Sequence, residues 1–223
     1  MQITRRKLFG IAALAAVGAV AGGARWERHL ALVRPSEARP FTAVELSKAG
    51  PLGDESEGRA DAPVTVIEYA SMTCPHCANF DINVFPLIKS HYIDSGKVRY
   101  ILREFPLDQL AAAGFMLARC AGKDKFFDMV HVLFQRQRDW VVEKPLGPLL
   151  EIAKQAGLTK QEFDECLANQ SILNGINAVR ERAAEKLGVN STPTFFINGQ
   201  VHRGEMTFAE FEGLIRPLLA GGA

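Results

Sequence analysis

Several features that would settle a function early are scarce or missing. Strong charge of either sign is absent: 26 Lys and Arg stand against 25 Asp and Glu, a formal net charge of +1. That balance gives no reason to expect nucleic acid or acidic lipid as a partner. Histidine is thin, and those at 29, 91, 131 and 202 have no ligand-like spacing. Only four cysteines occur, and only two of them form a C-x-x-C, so a zinc grip built from two such pairs is excluded. There is no low-complexity tract and no internal repeat. The uncharged run "LFGIAALAAVGAVAGGA" (8–24) falls short of the roughly 20 residues of a comfortable membrane span.

That run has another use. It follows "TRRK", with Arg5, Arg6 and Lys7 and no acid, and ends in small residues before Arg25. A basic start, an apolar middle and a small-residue end make an export signal over 1–24, with removal expected near Ala21 or Ala24. An uncleaved membrane anchor is the alternative. "TRRKLF" resembles a twin-arginine signal, and an ordinary basic start reads equally well. Export bears on the cysteines, because disulfides persist outside the cytosol.

The remaining 199 residues, 25–223, suffice for one core plus an inserted subdomain. Residues 25–60 hold Pro35, Pro40 and Pro51 and a polar stretch, and read as an irregular arm. "PVTVIEYA" (63–70) reads as a central strand, since both alternating sets are apolar or β-forming. A helix is expected from Cys74 to Ser95 with a kink at Pro86, then a second strand "KVRYILREF" (97–105), which makes a βαβ unit. From 108 to 187 the apolar spacing is helical throughout: Thr159 and Glu162 form a capping-box pattern, and Gly188 closes the last helix. Strands resume at "TPTFFING" (192–199), where Asn198-Gly199 signals a hairpin, and a helix from Thr207 to Leu219 ends the order. The fold class is therefore α/β (α+β): β-α-β at 61–107, a helical insert at 108–187, and β-β-α at 188–223.

The chemistry centres on "EYASMTCPHCANFD" (68–81). Cys74 falls where a strand gives way to a helix, and unpaired backbone N–H groups there favour an anion. Its thiol pKa is expected to drop from about 8.5 into the range of roughly 3.5–7.5. Pro75 suits the first helical turn, and His76 can offer a donor or positive charge near the sulfur. The spacing places Cys77 one turn inside, as the buried resolving sulfur beside an exposed, attacking Cys74. A static staple between such close cysteines would constrain the unfolded chain little, which favours redox work. Glu68 lies on a strand read as buried on both faces, where a carboxylate is costly without a task or partner. Reaching solvent or a lysine is its plainer alternative.

"EYASMTCPHC", a helical insert and "STPTFF" together resemble the DsbA group of the thioredoxin superfamily, over roughly residues 60–219. The resemblance implies a thioredoxin-like fold with an inserted all-helical subdomain, and an exported thiol-disulfide oxidoreductase. It implies that Thr192-Pro193 is a cis bond facing Cys74 and Cys77, offering backbone groups to an extended substrate segment; a trans proline starting a strand is the alternative. It implies that Glu68 exchanges a proton with Cys77. A second disulfide, Cys120–Cys166 in the insert, is compatible with it, two inert free cysteines being the alternative. It implies a periplasmic monomer that needs no cofactor, acts on exported cysteine-containing proteins and is reoxidised by a DsbB-like, quinone-linked membrane protein. Two other functions stay open: a disulfide isomerase or reductase of the same fold, for which Thr192 speaks, and a Cu(I)-handling thiol protein with Met72 near the pair. Trp140 reads equally as groove wall or insert packing.

Overall fold

The computed structural model describes residues 41–221. The export signal and the first part of the arm lie outside the described residues. A five-stranded sheet is built from β1 (Glu55–Glu57), β2 (Val64–Ala70), β3 (Val98–Glu104), β4 (Thr194–Ile197) and β5 (Gln200–Arg203), in the order β1-β3-β2-β4-β5. β2 and β3 run parallel, with Glu68 level with Leu102, and the other neighbours are antiparallel. Alternation along the strands sends side chains into two cores. Val64, Val66, Ala70, Tyr100, Leu102, Phe195 and Ile197 face one; Ile67, Tyr69, Ile101 and Phe196 face the other.

The first core is covered by α2 (Pro75–Asn83), α3 (Phe85–Ile88), α10 (Phe208–Ala220) and the helical insert. The insert comprises α4 (Gln109–Cys120), α5 (Phe126–Gln135), α6 (Gln137–Trp140), α7 (Leu146–Gln155), α8 (Lys160–Leu167) and α9 (Gln170–Leu187). Phe115, Phe126 and Trp140 are fully buried there, each worth about 2–3 kcal/mol of transfer free energy. Trp140 packs the insert, and its indole N–H donates to the Leu133 carbonyl at 2.8 Å. Val179, Ala183 and Leu187 of α9 cover the second core together with Leu46 of α1 (Ala43–Ser47).

Helix ends follow local chemistry. Thr42, Thr159 and Thr207 each accept from the backbone three residues on, while Glu45, Glu162 and Glu210 reach back. Gly188 closes α9 at a φ of 65°. Asn198 and Gly199, both at positive φ, make the tight β4–β5 turn.

Two expectations need correction. The helix expected over 74–95 breaks at Val84, two residues before Pro86. Proline has no N–H to give, and its ring would strike the carbonyl four residues back, so the chain restarts as α3 and widens into a π turn at Lys89–Ile93. The arm is not irregular throughout. α1 is capped and packed, and β1 adds itself to the edge of β3. Its sequence signal is weak because β1 has three residues and two are glutamates. Among the described residues, no helix is long and apolar enough to cross a membrane.

Candidate active site

Cys74 is the N-cap of α2 and Pro75 its first residue. Four groups around the sulfur favour its anion. The Cys77 thiol contributes most, and burial opposes it; the Thr192 hydroxyl and the backbone N–H groups of Cys77 and His76 add to the first effect. Together they bring the Cys74 thiol down from about 9 to about 5. Cys77, one turn inside, is only 1% exposed, and burial followed by the nearby Cys74 and Glu68 pushes its thiol well up. The two sulfurs, present as free thiols, are thus strongly unequal.

Cys74 is less open than its place at a helix start suggests, at 6% exposure. The Thr192–Pro193 segment lies over it: this peptide bond is cis, and the Cys74 thiol donates to the Thr192 carbonyl at 3.3 Å. The Thr192 hydroxyl is buried and makes no well-formed hydrogen bond to protein, although it lies close enough to favour the thiolate. His76 also has a carboxylate partner that its local sequence does not announce. Its ring Nδ1 lies 3.0 Å from a carboxylate oxygen of Glu205, and Asn79 donates to the other oxygen. Glu205 chiefly, and the Cys74 anion secondarily, raise the proton affinity of the ring. The hydrogen bonds that His76 brings to Cys74 come from its backbone. His76, Asn79, Thr192, Glu205, Met206 and Phe208 line part of a 570 Å³ groove beside the pair.

Glu68 is 3% exposed on the Cys77 side of the sheet, and the Tyr100 hydroxyl donates to it. Burial raises its carboxyl to about 8 against the pull of that hydrogen bond, so it is a protonated acid at neutral pH. Gln137 of α6, buried, donates to the carbonyls of Met72 at 2.8 Å and Cys74 at 3.0 Å. Met72 itself is fully buried against Gly114, where a Cβ would come within 3.0–3.1 Å of its side chain. Cys120 of α4 and Cys166 of α8 form a disulfide. No three His, Cys, Asp or Glu side chains among the described residues converge as metal ligands.

The structure therefore gathers Glu68, Cys74, Pro75, His76, Cys77, Thr192 and Pro193 in one place. Sequence reasoning missed Tyr100, Gln137 and Glu205, which come from elements 32, 63 and 129 positions from their partners Glu68, Cys74 and His76. No local pattern marks such contacts.

A family model described as thioredoxin matches residues 53–216. The crystal structure of Wolbachia pipientis α-DsbA1 is similar, with a TM-score of 0.74 and 33% identity over 79% of this chain and 96% of that one. Oxidised BdbD from Bacillus subtilis gives a TM-score of 0.64 and 26% identity, over 75% of this chain and 94% of the other. A Rickettsia bellii protein, provisionally named a protein-disulfide oxidoreductase, is 35% identical over 144 residues, 64% of this chain and 56% of that protein. The chain spans about half the length of the curated relatives it matches. With the match covering most of its length, and the paired cysteines, cis-proline and helical insert all in place, the chain belongs to the DsbA-like group of the thioredoxin superfamily.

Proposed function

We propose that the protein is an exported thiol-disulfide oxidoreductase that works as an oxidase, donating a Cys74–Cys77 disulfide to newly exported proteins in the periplasm. A substrate thiolate attacks Cys74 Sγ, the Cys74–Cys77 bond breaks, and Cys77 leaves with a proton from Glu68. A second substrate thiolate then attacks the substrate sulfur, and Cys74 departs as the thiolate. Two electrons pass from substrate to enzyme. A DsbB-like, quinone-linked membrane protein reoxidises the pair, with Glu68 taking back the Cys77 proton. Thr192 and Pro193 receive the substrate backbone beside Cys74. The observation that carries this reading is the inequality of the two thiols: an acidic Cys74 is a good leaving group and stabilises the reduced form, which makes the disulfide oxidising. Packing of α1 and β1 onto the sheet supports a monomer, because this part of the arm is occupied within the chain.

A second reading, an isomerase or reductase, draws on one observation, the buried Thr192 hydroxyl against Cys74. The reduction potential separates the two. A value near about −120 mV, measured in glutathione buffers, is expected for the oxidase, and one near about −270 mV would replace it with a reductase. Cys74→Ser should abolish turnover, and Cys77→Ala should accumulate mixed disulfides; full activity in Cys74→Ser would sink both readings.

A further inference from the structure

A second pair of ionisable side chains is linked by packing to the Tyr100 partner of Glu68. Asp81 follows Cys77 by four residues on α2, which puts both on one face of the helix, over the strands that carry Glu68 and Tyr100. The Asp81 side chain is 10% exposed, and its Oδ1 lies 2.7 Å from Nδ1 of His131 on α5. His131 is 24% exposed and forms the solvent side of the arrangement. Phe85 fills the space between the imidazole and Tyr100, with ring centroids 5.0 Å and 4.7 Å away. Tyr100 in turn donates to Glu68. A continuous packed group thus runs from Cys77 and Glu68 to a half-buried histidine, through side chains that leave little room for water to screen charge.

We propose that Asp81 and His131 are positioning residues for the thiol chemistry: their combined charge, set by whether His131 holds a proton, governs proton exchange between Glu68 and Cys77. The inference rests on the Glu68 role given above and adds a control to it. With His131 protonated, the negative charge of Asp81 is offset and Glu68 ionises more readily, ready to accept the Cys77 proton. Once His131 is neutral, the charge of Asp81 is uncompensated and favours the protonated form of Glu68, ready to give a proton to the departing Cys77. The direction agrees with the local electrostatics, in which Asp81 disfavours ionisation of both Glu68 and Tyr100. Burial works against a charged His131, but the hydrogen bond and charge of Asp81 outweigh it, so the ring titrates above its ordinary value. Other groups acting on the imidazole are Glu57 of β1, held by Lys89 at 2.6 Å, and Asp128 on α5 itself. Glu68 faces Tyr100, Asp81 and the two active-site cysteines.

The test follows the step in which Cys77 resolves a mixed disulfide on Cys74. Reduced protein is mixed with oxidised glutathione and acid-quenched, and the release of the second glutathione is timed across the neutral and mildly alkaline range. The wild-type rate should show an inflection that Glu68→Gln removes. His131→Gln should move the inflection to higher pH, whereas His131→Lys, a fixed cation, and Asp81→Asn should move it to lower pH, by on the order of half a unit. Opposite shifts from two substitutions at one partly exposed position are not produced by a packing defect. If the two His131 variants shift it the same way, or neither shifts it while Glu68→Gln still removes it, the control is absent and the Glu68 role survives. If Glu68→Gln leaves the inflection in place, the Glu68 role falls and the control falls with it.

Discussion

At the scale of single residues, the function turns on how one short helix start treats two identical side chains. Cys74 meets hydrogen-bond donors and Cys77 meets apolar burial. For Cys74 the folded value near 5 lies below the ordinary thiol value near 9. Its stabilising effect on the reduced protein is therefore complete above about pH 9, shrinks as the pH falls, and is gone below about pH 5. Thiolate absorbance of the reduced protein should titrate with a midpoint near 5, and the Cys74→Ser variant should lack that step. Much of this was legible in advance. C-P-H-C announces itself, and Glu68 stands out as a charge in a strand without a wet face. The ring of His76 could be placed near Cys74 from the sequence, but its carboxylate partner could not, because Glu205 approaches from the loop after β5. Asp81, Tyr100 and His131 stayed hidden for a related reason, each reading as an ordinary helix or strand residue until the chain is folded.

At the scale of elements, periodicity located the strands to within a residue or two, and the insert showed itself through uninterrupted helical spacing. What it missed were places where backbone chemistry overrides pattern: the break at Val84 and the strand β1, whose three residues carry almost no apolar signal. The disulfide belongs to this scale, since it ties α4 to α8 across a separation of 46 residues. Replacing Cys120 and Cys166 together by alanine should cost about 4 kcal/mol in the chain-entropy account, read as a lower midpoint in urea. Four free thiols in the untreated protein, counted by alkylation in denaturant, would mean the crosslink does not form.

Across the whole molecule, two arginines with almost fully covered side chains hold the arm to the sheet. Arg103 donates to both carboxylate oxygens of Asp54 at 2.8 Å, to the Leu46 carbonyl at 2.8 Å and to the Tyr69 hydroxyl at 2.9 Å. Arg119 reaches Glu104, Glu55 and the Leu52 and Gly53 carbonyls. Truncating Arg103 to alanine leaves Asp54 and Tyr69 without their partner and should destabilise the protein by about 3 kcal/mol in chemical denaturation. Pairing Arg103→Met with Asp54→Leu should recover much of that loss, because no buried charge is then stranded.

The two hydrogen bonds from Gln137 to Met72 and Cys74 also decide where this chain can be lengthened. Residues 141–144, just past α6, are exposed, with Val141 at 38% and Val142 at 43%. A peptide handle or fluorescent label spliced in there hangs into solvent beyond the last anchored turn. The same cargo placed a few residues earlier would tug on carbonyls either side of Thr73, and the reactive sulfur would register the strain before the fold did.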